Sequence, residues 1–150
     1  MRRSIFVFAF GFFGLALLGG CRSEAQPTVT VYKTPTCGCC ALWADHMTEA
    51  GFEVERVDVS SLEDVKARLG VPQQLASCHT AVVGDYVVEG HVPAEDVRRL
   101  LDEQPPEAIG LAVPGMPIGS PGMEVEGRPN DEYAVYMFTR DGRAAVFANH

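Results

Sequence analysis

Along residues 29–104, the spacing of hydrophobic residues changes several times between the period of a strand and that of a helix. Each change predicts a new element. The run at 29–32 is β-branched and aromatic, as in a strand, whereas residues 52–59 alternate apolar with charged side chains. Helical spacing lies between these two runs and ends at Gly51. The predicted elements are a strand at 29–32, a helix from about 37 to 50, a strand at 52–59, a helix at 60–69, a hairpin at 80–88, and a helix from 93 to 104.

This succession predicts an α/β domain over residues 29–150. Its order, β-α-β-α-β-β-α with a cysteine motif at the first strand-to-helix junction, is the arrangement of thioredoxin-like proteins. Residues 106–130 are rich in Gly and Pro and have neither period, so we expect an ordered flap over the core without strand or helix. A final hairpin is predicted at 133–147, around the Asp141-Gly142 turn.

The first 28 residues have the pattern of an export signal and a tether. Arg2 and Arg3 precede an apolar stretch at 5–18 that is too short to be a comfortable membrane span. Leu18-Gly19-Gly20-Cys21 resembles a bacterial lipobox, so we predict a signal peptide at 1–20, a lipidated Cys21 and a polar tether at 21–28. Ordinary cleavage nearby or an uncleaved anchor are the alternatives. The protein is expected in the periplasm or cell envelope, attached to a membrane through the lipid.

The charge balance excludes two classes of partner. The chain carries a formal net charge of −8 at pH 7, and removal of residues 1–20 would take two arginines with it. An acidic domain of this kind repels nucleic acid and anionic lipid surfaces.

Three cysteines lie within four residues, in Cys37-Gly38-Cys39-Cys40. The spacing of Cys37 and Cys40 at a helix start favours thiolates, which serve both disulfide exchange and soft-metal ligation. Three neighbouring cysteines cannot all pair in ordinary disulfide geometry. Cys39 therefore favours a metal site, although Cys37 and Cys40 remain a candidate redox pair.

Further donors are predicted in three other segments. Cys78 precedes the predicted hairpin, where a thioredoxin-like fold faces the cysteine motif and normally has a cis-proline that this sequence lacks. His91 ends the hairpin, and Met116 and Met123 lie in the flap, where thioethers beside thiolates would select Cu(I). We leave His79 open, since an extended segment would point it away from Cys78.

Several of these motifs together resemble the CopG-type family, exported bacterial proteins of copper-resistance systems. The resemblance covers residues 29–150 and is carried by the cysteine motif with Trp43, by 77–80, by 89–93 and by 110–117. It implies a thioredoxin-like fold and a cysteine-bridged multinuclear copper site, with a role in periplasmic copper handling and Cu(I)/Cu(II) redox chemistry. Partners would be copper ions and other periplasmic copper-handling proteins. By position, the cysteine ligands are Cys37, Cys39, Cys40 and Cys78, and we nominate Met116, Met123 and His91 to complete the site.

A rival hypothesis remains open at this stage. The chain could be an envelope thiol–disulfide oxidoreductase, with Cys37 as the attacking thiolate and Cys40 as the resolving one. The missing proline and the additional Cys39 argue against it.

Overall fold

The structure is a computed structural model that describes residues 27–150. The predicted signal peptide at 1–20, the lipidated Cys21 and most of the tether lie outside these residues. Between residues 27 and 150, no helix is long and apolar enough to cross a membrane.

Over residues 27–150, seven strands and three α-helices make up a mixed α/β fold, which confirms the predicted class. They are β1 (Val29–Lys33), α1 (Gly38–Glu49), β2 (Val54–Asp58), α2 (Leu62–Leu69), β3 (Thr80–Val83), β4 (Tyr86–Glu89), α3 (Ala94–Glu103), β5 (Ala108–Ala112), β6 (Ala134–Thr139) and β7 (Ala144–Asn149). A short 3-10 turn, Gln73–Leu75, lies between α2 and β3. Ser61 caps α2 through its hydroxyl, which accepts a hydrogen bond from the Asp64 amide, and Gly70 ends that helix in the left-handed region.

All seven strands form one sheet in the order β2-β1-β3-β4-β5-β6-β7. The β1–β2 and β4–β5 pairs are parallel, and the other four pairs are antiparallel. Both predicted hairpins are confirmed, β3–β4 and β6–β7.

The expectation that residues 106–130 contain no strand was wrong. β5 lies in this stretch and pairs with β4 on one side and β6 on the other. An interior strand of this kind need not alternate apolar with polar residues, because both its faces are covered. Gly110 further hides the pattern: a Cβ atom there would lie 2.8 Å from the Phe138 ring, so the position has no room for a side chain. Only the part after β5 lacks regular structure as far as β6.

The helices hold the sheet through two apolar clusters. Trp43 and Met47 of α1 pack with Val97 and Leu100 of α3 in the larger cluster, where all four are fully buried. The indole Nε1 of Trp43 donates a hydrogen bond to the Val92 carbonyl, 2.9 Å away. This bond ties the first turns of α1 to the chain that follows β4.

Candidate metal centre

Strand pairing brings three chain segments together at one end of the strands, where β1 and β4 end and β3 begins. The end of β1 lies opposite the start of β3, since Tyr32 pairs with Thr80. Thr80 in turn pairs with Glu89 at the end of β4. The residues just after β1, just before β3 and just after β4 therefore meet, and these are the segments that carry the predicted cysteines and His91.

The four predicted cysteine ligands are brought together. The sulfur atoms of Cys37, Cys39, Cys40 and Cys78 all lie within 4.8 Å of one another. Cys37 and Cys40 form a disulfide, and the sulfurs of Cys37 and Cys39 are 3.6 Å apart. Within residues 27–150, Cys39 and Cys78 are outside any disulfide. Four sulfurs at this separation, once reduced, could hold a soft metal ion, and their role as ligands stays a prediction.

A second donor set shares Cys78 with the first. The Cys78 sulfur lies 2.9 Å from Nε2 of His91 and 3.3 Å from Nδ1 of His79. On the far side of the His91 ring, Nδ1 lies 2.8 Å from the Pro121 carbonyl, to which it can only donate. That hydrogen bond leaves Nε2 of a neutral ring with its lone pair directed at Cys78, the orientation that a metal-binding histidine needs.

His79 is the donor that sequence reasoning left undecided. Alternation would direct it away from Cys78, but β3 begins only at Thr80, so its alternation does not extend to Cys78 and His79. The ring is fully buried, 4.5 Å from the Trp43 ring and 5.1 Å from the His91 ring. Its Nε2 atom has no hydrogen-bond partner among the residues described. The sequence feature that could have identified His79 as a donor is its position next to Cys78, directly before a strand.

Burial sets the protonation of these groups. It is the main cause that raises the pKa of the Cys78 thiol to about 12, with the charge of Cys39 adding to it. Burial also lowers the pKa of His79, with His91 as a second cause, and the pKa of His91, against the opposing hydrogen bond to Pro121. Both imidazoles are therefore neutral at pH 7 and able to bind metal, whereas Cys78 must release a proton when it does so.

The two predicted methionines lie in the loop after β5. The Met116 side chain is 53% exposed, and Met123 is half-buried. Met123 follows Gly122, which approaches the backbone of Cys39 closely. Their role as ligands stays a prediction. Nε2 of His46, on α1, accepts a hydrogen bond from the amide of Ala94 at the start of α3.

Comparison with known proteins identifies the family of the chain. A family model described as "Protein of unknown function, DUF411" matches residues 75–123. Two solved structures, "Copper resistance protein copG- Form 2" and "Form 1", are each 43% identical to this chain. They cover 85% and 83% of it, the chain covers 99% and 98% of theirs, and the TM-scores are 0.78 and 0.77. The chain belongs to the CopG family. No curated protein matches it.

The family model and the two solved structures match different lengths of this chain. The DUF411 segment contains Cys78, His79 and His91, but it begins after the cysteine motif of α1. The CopG structures extend over most of the described chain. Both are named as copper resistance proteins.

Proposed function

We propose that this CopG-family chain is a periplasmic copper-binding protein of copper resistance and homeostasis. It holds copper in a multinuclear cluster bridged by cysteine thiolates, with Cu(I) as the main state and Cu(II) as a second one. The observation that carries the proposal is the sharing of Cys78 by two donor sets, one of four sulfurs and one of a sulfur with two imidazoles. A thiolate that lies in both sets is placed to bridge metal ions.

The chemistry of the donors favours copper over harder cations. Thiolates select Cu(I), and neutral imidazoles accept copper in either oxidation state. We include Met116 and Met123 as further thioether ligands. Both belong to the loop whose Pro121 carbonyl orients His91, so this loop would contribute to the site in two ways.

Copper loading depends on the redox state of the cysteines. Cys37 and Cys40 form a disulfide, and disulfide sulfurs are not thiolate ligands. An external dithiol, itself oxidised to a disulfide, supplies the two electrons and two protons that convert this bond into two thiols, which then lose their protons to the medium as copper binds. The full four-sulfur set is therefore available only in the reduced protein.

The proposal extends to fold type and location. We assign the domain to the thioredoxin-like folds, supported by the element order β-α-β-α-β-β-α and by the neighbours β2-β1-β3-β4 in the sheet. The signal-like segment at 1–20 supports export, and Cys21 is the proposed lipid attachment point. Other periplasmic copper-handling proteins are the expected partners.

The number of copper ions per chain tests the proposed function. The reduced protein, titrated anaerobically with Cu(I), is expected to bind more than one copper per chain in competition with a chromophoric chelator. Several thiolates shared between metal ions would explain such a number. A measured ratio of one or less at saturation would contradict the multinuclear cluster, and the disulfide form serves as the control that should bind less.

The Cys37–Cys40 disulfide itself favours a second candidate function, thiol–disulfide exchange. Cys40 is fully buried and Cys37 is partly exposed, so Cys37 is the sulfur that a substrate could reach. This function predicts catalytic reduction of a model disulfide that Cys37→Ser abolishes. Turnover of the wild-type protein no faster than that of Cys37→Ser would rule it out.

A further inference from the structure

A buried carboxylate lies at the end of β4, beneath the segment that carries Cys78. Glu89 is fully buried, and three donors hold its side chain. Oε1 accepts hydrogen bonds from the Lys66 ammonium at 2.5 Å and from the Ser77 amide at 2.6 Å. Oε2 accepts one from the Thr80 hydroxyl at 2.7 Å, and Lys66 also donates to that hydroxyl.

These contacts fix residues 77–80 at both ends. Ser77 and Thr80 flank Cys78 and His79, and both donate to the same carboxylate. Ser77 is restrained further, because its hydroxyl donates to the Gly115 carbonyl. A Cβ atom on Gly90 would lie 2.6 Å from Ser77 Cβ, so Gly90 allows the two segments to meet.

The same carboxylate belongs to the strand that leads into His91. Glu89 therefore ties the segment of Cys78 directly to the strand end that carries its partner imidazole. The 2.9 Å distance between the Cys78 sulfur and His91 Nε2 depends on how these two segments are held together.

The buried pair of Lys66 and Glu89 is not explained by the stability that it adds to the fold. Lys66 is 13% exposed and Glu89 is fully buried, so forming the pair removes both charges from most of their water. A buried ion pair generally adds little stability beyond what apolar residues of similar volume would give. What it supplies is a defined geometry, since a carboxylate with three donors fixes all three at once.

We propose that Glu89, together with Lys66, is a positioning residue of the metal centre that holds Cys78 opposite His91 before copper binds. The inference rests on the proposed function for its purpose, but its geometric part concerns the metal-free protein. Support of this kind behind a metal ligand is typically worth about 10–100-fold in metal affinity.

The test uses the metal-free full chain and an alkylating reagent at fixed pH, with each cysteine followed by mass spectrometry. Glu89→Gln is expected to raise the alkylation rate of Cys78 at least tenfold while that of Cys39 changes less than twofold. A purely structural role would loosen the fold and raise both rates together. The Cu(I) affinity of the reduced variant is expected to fall by about 10–100-fold.

Asp96→Asn is the matched control, because Asp96 is also a buried acid and its partner, His150, lies outside residues 77–80. It should leave the ratio of the two rates unchanged. If Glu89→Gln does not fold, the neutral double variant Lys66→Met/Glu89→Gln replaces it with the same expectation. A folded variant with the wild-type ratio would overturn the proposal. A raised ratio in a protein that binds no copper would support the positioning role and overturn the proposed function.

Discussion

Cys78→Ser is expected to lower the Cu(I) affinity of the reduced protein by more than about 100-fold, the upper range for a residue that only supports a ligand. Among the residues described, Cys78 is the one side chain that belongs to both donor sets. A hydroxyl in its place is a poor donor for Cu(I). The sulfur set would then lose one member, and His79 and His91 would lose the thiolate that joins them to it. Competition titration against a Cu(I) chelator measures the effect.

Cys39→Ser is the informative comparison, since Cys39 belongs to the sulfur set alone. Its loss of affinity should be clearly smaller than that of Cys78→Ser. His46→Gln, a histidine that caps α3, should bind copper as the wild-type protein does. An equal loss in the two cysteine variants would contradict the bridging position of Cys78. Circular dichroism of each variant checks that the fold is retained.

The convergence of the cysteines could be expected from the sequence because it depends on the pairing of strands and not on side-chain packing. Cys37 follows β1 and Cys78 precedes β3. Antiparallel pairing of β1 with β3 therefore places the two cysteines at the same end of the sheet. The periods and turns predict these elements, but the pairing of β1 with β3 was expected only because the element order resembles that of thioredoxin-like proteins. His91 follows by the same reasoning, because it comes just after the hairpin.

The parts that the sequence did not reveal depend on packing between distant segments. The orientation of His79 depends on Trp43 and on the irregular backbone before Thr80, and no local pattern encodes either. β5 was missed because an interior strand need not alternate apolar with polar residues. Gly110 also interrupts its apolar run, because Val87 and Phe138 on the neighbouring strands leave no room for a side chain there. The partners of Glu89 are also invisible in sequence, since Lys66 lies 23 positions away on α2. Charged residues that far apart carry no periodic signal.

The loop after β5 lies closely against α1 at Gly122. Gly122 has a φ of +82°, and a Cβ atom there would lie 2.8 Å from the Trp43 amide nitrogen and 2.9 Å from the Cys39 carbonyl oxygen. Both neighbours are backbone atoms of a helix, so neither can rotate aside. Any side chain at this position must lift the loop, and with it Pro121, whose carbonyl orients His91.

Gly122→Ala is therefore expected to destabilise the protein and to weaken copper binding together. Gly127→Ala is the matched control, because Gly127 has a similar φ of +76° but no atom within 4 Å of the added Cβ. Both variants incur the left-handed backbone strain of about 1–2 kcal/mol. The clash adds about 1–3 kcal/mol for Gly122 alone, which urea unfolding can measure as a difference between the two.

Copper affinity separates the two variants further. In Gly122→Ala, His91 loses the fixed acceptor on its Nδ1, so Cu(I) affinity should fall by about tenfold or more, as for loss of a residue that orients a ligand. Gly127→Ala should keep the wild-type affinity despite its strained backbone. Equal affinities in the two variants would show that the contact between this loop and α1 does not help to arrange the copper ligands.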